Sequence, residues 1–309
     1  MAAPQANELR ALGCAMRVPL MGHSCRLDWS AGCQHPTTGG LTARCHKAVL
    51  KRDMAAHDAS TPPGLTERLI KNSAKAHSRS NALLLGKVAA LFIDRELYGK
   101  AIGCFYLVFV ELESALHKAM ATDERVESMR DVLEPLWRVP AYEADLQFYL
   151  GPNWREQLVT SPAIEAYIAR LRELSEKQPV LLLAHAFTQH MAGLSGGRIL
   201  KRLARKHMKL PEDKGTAIFE FPGGLELKDA FKRQLDVVGA GLNGTELQAM
   251  LDEQLHAFAF NIAIMQEFKV GFLQQLAAPL RLLPPNYVAA ASAVAVAVAV
   301  ALVAWRWPA

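Results

Sequence analysis

Cysteine is scarce in this 309-residue sequence, and its few copies are not arranged in pairs. The chain contains five cysteines, an odd number, and no Cys-x-x-Cys pair. Four of them precede residue 64 and one lies beyond it: Cys14, Cys25, Cys33, Cys45 and Cys104. This usage argues against a disulfide-stapled scaffold and indicates a reducing compartment. The cysteine and histidine spacings of residues 1–63 also fit no standard zinc finger.

A marked excess of charge of either sign is missing as well. The chain carries 35 lysines and arginines against 30 acidic residues, so its formal net charge is only +5, and these charges are scattered. A charge of this size, without any RNA- or DNA-binding motif, predicts no nucleic-acid partner. Apolar residues make up 51% of the chain, which favours a globular core. The length suits one domain of about 200 residues with appendages.

The first 63 residues lack sustained helical periodicity and end in the sequence TPPG. Because proline and glycine there exclude a helix, a domain boundary is predicted near Pro63. Acidic residues are sparse in this stretch and arginines are scattered, which allows an organelle transit peptide. A disordered leader is the favoured interpretation of residues 1–63.

Strand-like alternation is absent from residues 64–278, where helical periodicity predicts a single all-α domain. Breaks are expected at glycine- and proline-containing turns. The predicted helices cover approximately residues 65–80, 97–121, 125–135, 140–150, 161–176, 178–209, 227–238 and 244–278. Pro279 is expected to close the last helix, and residues 279–287 are predicted to form a linker.

The stretch 288–305 contains 18 residues without a charge, and it lies between Arg281 and Arg306. As a helix it would extend about 27 Å, close to the thickness of the bilayer hydrocarbon core. Valine and alanine alternate from Ala293 to Ala301, which also allows a strand. An unpaired apolar strand would be prone to aggregation, so we favour a C-terminal transmembrane anchor.

The stretch from Leu181 to Leu210 has apolar residues at helical spacing, but it contains three glycines within five residues. Each glycine inside a helix costs about 1 kcal/mol relative to alanine. Gly193, Gly196 and Gly197 therefore need an explanation. They indicate a close helix crossing, a break between two shorter helices, or a bare backbone that a large flat ligand approaches.

A second unusual stretch lies upstream, where small and apolar residues form a helical stripe with His77 at its edge. The stripe consists of Leu65, Leu69, Ser73, Ala76 and Ser80. A histidine on such a face is most often an ordinary core or surface residue. Small neighbours nevertheless leave room beside the imidazole, as an axial haem ligand requires.

Together, these two stretches resemble the heme oxygenase family, and the resemblance extends from about Gly64 to Phe268. The AKAHS segment is similar to the family's proximal-histidine helix, and LSGGRIL is similar to its glycine-rich distal helix. Six further segments follow in the family's order: FYLVFVELE (105–113), DLQFYLGPNW (145–154), SPAIEAYIARL (161–171), LLLAHAFTQH (181–190), FEFP (219–222) and AFAFNIAIMQEF (257–268).

The resemblance implies a multihelical fold with haem held between the first helix and the glycine-rich helix. It also implies that haem is both cofactor and substrate, and that O2 and supplied electrons cleave it to biliverdin, carbon monoxide and ferrous iron. The implied electron donors are NADPH through cytochrome P450 reductase, or ferredoxin. Tail-anchored members lie in the endoplasmic reticulum membrane with the domain facing the cytosol, and a plastid is the alternative location.

Individual residues receive roles from the same resemblance. His77 is the implied iron ligand. The other implied haem-binding residues are Gly193, Gly196, Gly197, Lys232 and Phe258. Lys232 matches the lysine of a propionate-binding pattern, FKxxYR, but this chain reads FKRQLD and lacks the arginine. Arg233 is the residue that could partly replace it.

The distal motif departs from the family pattern. The usual Gly-Asp-Leu-Ser-Gly-Gly reads Ala-Gly-Leu-Ser-Gly-Gly here, so the aspartate position is Gly193. Three other positions that are commonly polar in the distal network are Phe109, Gln189 and His190. We expect His190, just under one helical turn before Gly193, to organise a different water network, which makes these two the candidate catalytic positions. The losses leave a second function open, that of a haem carrier, sensor or peroxidase-like protein.

Overall fold

The computed structural model describes residues 62–221 and 223–282, except for the side chains of residues 81–83. Within these residues the chain forms ten α-helices and no strand. The helices are α1 (Leu65–Leu91), α2 (Arg95–Met120), α3 (Glu124–Glu127), α4 (Arg130–Leu133), α5 (Val139–Leu150), α6 (Pro162–Lys177), α7 (Leu182–Met208), α8 (Gly224–Ala240), α9 (Gly244–Glu267) and α10 (Phe272–Leu282). The predicted all-helical domain is confirmed for this part of the chain.

Side-chain caps fix several of the helix ends. The carboxylate of Asp94 accepts a hydrogen bond from the Leu97 amide and begins α2. Asn243 and Glu246 form a reciprocal capping box at the start of α9. Such caps satisfy backbone N–H groups that have no partner within the helix. Helix α7 ends at Lys209, whose left-handed backbone (φ 50°) stops the helical repeat.

The helices pack as a bundle whose buried apolar side chains form two core clusters. Helix α2 lies against α5 and α6, α1 lies against α9 and α10, and α7 packs on α9. The largest fully buried side chains include Trp154, Tyr167 and Phe231. Because α1 and α7 both rest on α9, their remaining faces are left to form a cleft.

The last long predicted helix, 244–278, is two helices in the structure. Helix α9 ends at Glu267, and α10 starts again at Phe272. The ammonium group of Lys87 on α1 donates hydrogen bonds to three carbonyls at the end of α9, those of Met265, Gln266 and Phe268. A cation that satisfies the terminal carbonyls stabilises a helix end there, which the sequence pattern of α9 alone did not indicate.

Three other predicted helix bounds also differ from the observed ones. Helix α1 continues to Leu91 instead of ending at residue 80. The predicted helix 125–135 is replaced by the single-turn helices α3 and α4 and a 3-10 turn at Glu134–Leu136. Pro279 lies inside α10 and does not close it. Pro279 is the eighth residue of α10, so its missing N–H leaves the Gln275 carbonyl without the usual i,i−4 partner inside the helix.

Among the described helices, none is both long and apolar enough to cross a membrane. The anchor predicted at 288–305 lies outside the described residues. Residues 1–61 of the predicted leader also lie outside them.

The triple hydrogen bond of Lys87 generates a stability prediction. We expect Lys87→Met to lower the free energy of unfolding by about 1.5–3 kcal/mol, since hydrogen bonds from a charged donor contribute in that range. The matched control is Lys100→Met, because Lys100 forms an exposed helix ion pair with Glu96, and such pairs contribute less than about 0.5 kcal/mol. Denaturant unfolding of both variants measures the difference. Equal losses would contradict the proposed role of Lys87 at the end of α9.

Candidate functional site

A cleft of about 770 Å³, including its open mouth, lies between α1 and α7, and α9 forms its third wall. Its apolar walls consist mainly of Ile70, Phe187, Met191 and Phe258. The cleft therefore suits a mostly apolar ligand that enters between two helices.

His77 lines this cleft from α1. Its imidazole is half-buried and meets the ring of Phe258 edge to face, with 6.2 Å between the ring centroids. Burial lowers the pKa of His77 below its ordinary value. The ring is therefore neutral at pH 7, and a neutral imidazole can donate a lone pair to a metal ion.

Of the three glycines on α7, the structure places only Gly196 on the cleft. A Cβ atom on Gly193 would lie 2.6 Å from Cζ of Phe221, and one on Gly197 would lie 3.5 Å from Cδ1 of Phe219. Gly193 and Gly197 therefore let the segment after α7 pack against the helix backbone. This differs from the expectation that all three glycines face the ligand.

Helix α7 passes through these glycines without a break, so the alternative of two shorter helices is wrong. The helix remains continuous because buried residues anchor it from Leu182 to Met208. Tertiary packing outweighs the roughly 1 kcal/mol that each glycine costs.

His190 does not line the cleft. It is buried on another face of α7, with its ring 5.8 Å from that of Phe109 and edge-to-face to it. Burial, reinforced by the charge of Arg138, lowers the pKa of His190 to about 3. Neither ring nitrogen has a hydrogen-bond partner within the described part of the chain. The structure thus places His190 away from the lining of the cleft, and its expected role in a distal water network stays a prediction.

A chain of buried polar side chains approaches the cleft from behind. Gln189 lines the cleft and donates hydrogen bonds from Nε2 to the Tyr167 hydroxyl (3.1 Å) and to Oδ1 of Asn261 (2.9 Å). Tyr167 is 3.0 Å from Nδ1 of His185, whose Nε2 is 2.9 Å from Glu253. Sequence analysis missed this chain because its residues come from three helices.

The comparisons with known proteins decide the family. The family profile described as Heme oxygenase matches residues 63–267. The chain belongs to the heme oxygenase family. The heme oxygenase of Rhodella violacea is 32% identical over 219 residues, which cover 69% of this chain and 90% of that protein. Human heme oxygenase 1 is 29% identical over 215 residues, covering 68% of this chain and 73% of that protein.

Solved heme oxygenase structures share the fold. Heme oxygenase 2 from Chlamydomonas reinhardtii, crystallised without heme, is 46% identical with a TM-score of 0.66, and the match covers 68% of this chain and 100% of that one. Heme oxygenase-1 from Synechocystis, in complex with heme, is 30% identical with a TM-score of 0.60; 67% of this chain and 93% of that one are covered.

This chain departs from the heme oxygenase pattern at position 236, where it has an aspartate instead of the usual arginine. In the structure Asp236 has a different role. Its carboxylate accepts a 2.7 Å hydrogen bond from the amide of Thr66. A Cβ atom on Gly64 would lie 2.7 Å from the same carboxylate. Asp236 therefore caps the first turn of α1 from the neighbouring helix α8, where a negative charge is favourable.

Lys232, the expected propionate-binding lysine of this heme oxygenase, is half-buried on α8. Its backbone carbonyl accepts a hydrogen bond from Thr66, which places Lys232 beside the start of α1. Lys228 lies one turn earlier, and burial, followed by the charge of Lys232, lowers its pKa. The sequence could have indicated Lys228 as a second cation, because residues four apart lie on the same face of a helix.

The contact between Gly193 and Phe221 generates a second prediction. Gly193→Ala gains about 1 kcal/mol of helix propensity, but it meets the Phe221 ring, and overpacking costs about 1–3 kcal/mol. We therefore expect Gly193→Ala alone to be neutral or destabilising, and to be stabilising by about 1 kcal/mol in a Phe221→Leu background.

A double-mutant cycle by denaturant unfolding measures this coupling. Gly244→Ala is the matched control, because nothing lies within 4 Å of a Cβ atom at that helical glycine. It should show the same effect with Phe221 or Leu at position 221. Additive effects of Gly193→Ala and Phe221→Leu would contradict the contact.

Proposed function

We propose that this chain binds haem between α1 and α7 and cleaves it to biliverdin, carbon monoxide and ferrous iron, with O2 and supplied electrons. The observation that carries this proposal is that the neutral imidazole of His77 and the bare backbone of Gly196 line the same cleft. A flat macrocycle needs both, namely an axial nitrogen on one helix and close approach to the backbone of the other. The heme oxygenase relatives support the same activity.

In this proposal the residues around the cleft have separate roles. Haem, when bound, supplies the redox chemistry. His77 would hold the iron, and its edge-to-face contact with the ring of Phe258 restricts rotation of the imidazole. Phe187 and Met191 exclude water from the macrocycle faces because they are buried apolar side chains on the cleft wall. A dry site strengthens every hydrogen bond that reaches the ligand.

The two lysines on α8 are the proposed partners of the haem carboxylates. Lys228 and Lys232 are close enough for the charge of one to lower the pKa of the other. An anion between them would relieve that repulsion. Asp236 cannot take the place of the missing arginine, since its carboxylate caps α1. Lys228 supplies the second positive charge instead.

A haem carrier, sensor or peroxidase-like function is the second candidate, and one observation favours it. Position 193, where the family's distal aspartate is expected, is a glycine and has no carboxylate. The ring of Phe221 occupies the space that a Cβ atom at this position would need. Removal of one preorganised hydrogen-bond donor typically slows an enzyme by about 100- to 1,000-fold. Single-turnover yield of biliverdin from the haem complex separates the two candidates.

The electron donor in our proposal is NADPH through cytochrome P450 reductase, or ferredoxin. The protein that delivers the electrons is the reductase in the first case and ferredoxin in the second. Parallel turnover assays, one with each protein, distinguish them. Biliverdin formation with only one donor identifies the partner.

Membrane attachment through residues 288–305 is the proposed location signal, with the domain on the cytosolic face of the endoplasmic reticulum; a plastid is the alternative. One feature of the described residues supports a nearby lipid surface. Helix α10, which ends shortly before this segment, exposes four large apolar side chains: Phe272, Leu273, Leu276 and Leu280. Apolar patches of this kind often mark an interaction surface.

We expect the full-length protein to bind hemin at about one to one, with a Soret band typical of histidine ligation. His77→Ala should weaken or shift that band because the axial nitrogen is lost, and added imidazole should restore it. The control is His117→Ala, since His117 is an exposed histidine on α2. Absorption titrations give the result. A wild-type band in His77→Ala would show that another residue holds the iron.

A reporter fused to residues 284–309 should enter the membrane fraction and resist carbonate extraction. The reason is that an 18-residue uncharged segment can satisfy its backbone in lipid as a spanning helix. Val296→Asp together with Val298→Asp should return the reporter to the soluble fraction, since each central aspartate costs about 2.5–3.5 kcal/mol on insertion. A wild-type fusion that stays soluble would refute the anchor.

A further inference from the structure

Helix α10 exposes a continuous apolar face. Its four large apolar side chains, Phe272, Leu273, Leu276 and Leu280, are between 51% and 77% exposed. Leu273, Leu276 and Leu280 follow the i, i+3, i+7 spacing of a single helix face, and Phe272 lies one turn before Leu276 on the same side. A protein surface rarely leaves such a patch open to water unless something else covers it.

The opposite face of α10 is the one that packs on the rest of the protein. Its buried residues are Ala278 and Leu282, one turn apart. The helix lies on the last turns of α1, where a Cβ atom on Gly86 would be 2.9 Å from the carbonyl oxygen of Gln275. The two helix backbones therefore cross in close contact. This contact holds α10 in place with its apolar face turned outward.

The charges around this apolar face are basic. The chain has no acidic residue from 268 to 309. Lys269, just before α10, and Arg281, in its last turn, are both exposed. Asp94 touches α10, but its carboxylate begins α2 and accepts a hydrogen bond from Gln274. An apolar helix face flanked by cations is attracted to anionic lipid headgroups.

The position of α10 in the chain also favours a lipid surface. Only five residues, 283–287, separate it from the uncharged segment 288–305. A chain of this length extends at most about 22 Å, so α10 stays within that distance of any bilayer that the segment spans. Pairing with α10 of a second copy, in contrast, would bring the basic ends together without an acidic residue between them.

We propose that α10 is an interfacial helix, whose four exposed apolar side chains enter the boundary between the headgroups and the acyl chains of a bilayer. Lys269 and Arg281 then contact the lipid phosphates. Because α10 is packed on α1, this contact rests the domain on the membrane in one orientation, and it supports the helix that carries His77. The inference rests on the membrane location proposed above for residues 288–305.

Photo-crosslinking identifies what covers the face. The full-length variant Phe272→p-benzoylphenylalanine, reconstituted into vesicles of phosphatidylcholine and phosphatidylserine, carries a light-activated ketone at an exposed aromatic position. The excited ketone inserts into C–H bonds that it touches, so mass spectrometry of the products identifies the neighbour. We expect a phospholipid adduct. A crosslink to residues 288–305 or to a second copy, in place of lipid, would overturn the proposal.

The matched control carries the same group at Val237. This side chain is also apolar and is 64% exposed. It lies on α8, which contacts the start of α1 through Asp236, whereas α10 crosses the end of α1. We expect the lipid adduct at Val237 to be several-fold weaker than that at Phe272. Equal adducts at the two positions would contradict a specific contact by α10.

Carbonate extraction of the same vesicles tests the anchor separately. Leu273→Asp together with Leu276→Asp should abolish the lipid adduct at position 272, because buried carboxylates are costly in lipid, while the protein stays resistant to carbonate. Val237→Asp should change neither result. Resistance without a lipid adduct in the protein that keeps both leucines would refute the interfacial helix and leave the anchor standing. A lipid adduct on protein that carbonate releases would refute the anchor and support α10 as the contact.

Discussion

The burial of one carboxylate, Glu253, determines how the helices behind the cleft are arranged. Its partners come from two other helices, Arg170 from α6 and His185 from α7. Removing one partner of a buried ion pair typically costs about 3–5 kcal/mol, so these three helices have little freedom to slide. The cleft residues Gln189 and Asn261 lie on the following turns of the same helices, four residues after His185 on α7 and eight residues after Glu253 on α9. The polar chain therefore fixes the geometry of this wall of the cleft.

Helix α1, which carries His77, is held by polar contacts along its length. Asp236 caps its first turn, Asn72 donates to the Leu251 carbonyl on α9 at 2.7 Å, and Lys87 binds the last carbonyls of α9. These contacts set the separation between α1 and the rest of the bundle. The energy of apolar packing changes little when one helix shifts slightly along its axis. A hydrogen bond to a particular carbonyl, in contrast, is weakened by the same shift because its distance and angle change. The width of the cleft follows from them.

The departures from the heme oxygenase pattern have structural consequences that are local and different from one another. Gly193 admits the ring of Phe221, which in turn stacks under the guanidinium of Arg138 at 4.3 Å. Asp236 has exchanged anion binding for helix capping. His190 lies against Phe109, away from the cleft. At Gly193 the loss of a polar side chain thus accompanies a new packing contact, and at Asp236 the loss of the arginine accompanies a new helix cap.

The sequence by itself determined the helical class, most of the helix cores, the family, and the two stretches that form the cleft, because helical periodicity and unusual residues such as His77 and Gly196 are local signals. Only the tertiary structure decided that α9 stops at Glu267, that Gly193 faces Phe221, and that Gln189 and Asn261 are paired. Each of these depends on a partner far along the chain. Periodicity tells which face of a helix is buried, but it does not tell which residue of another helix lies against that face.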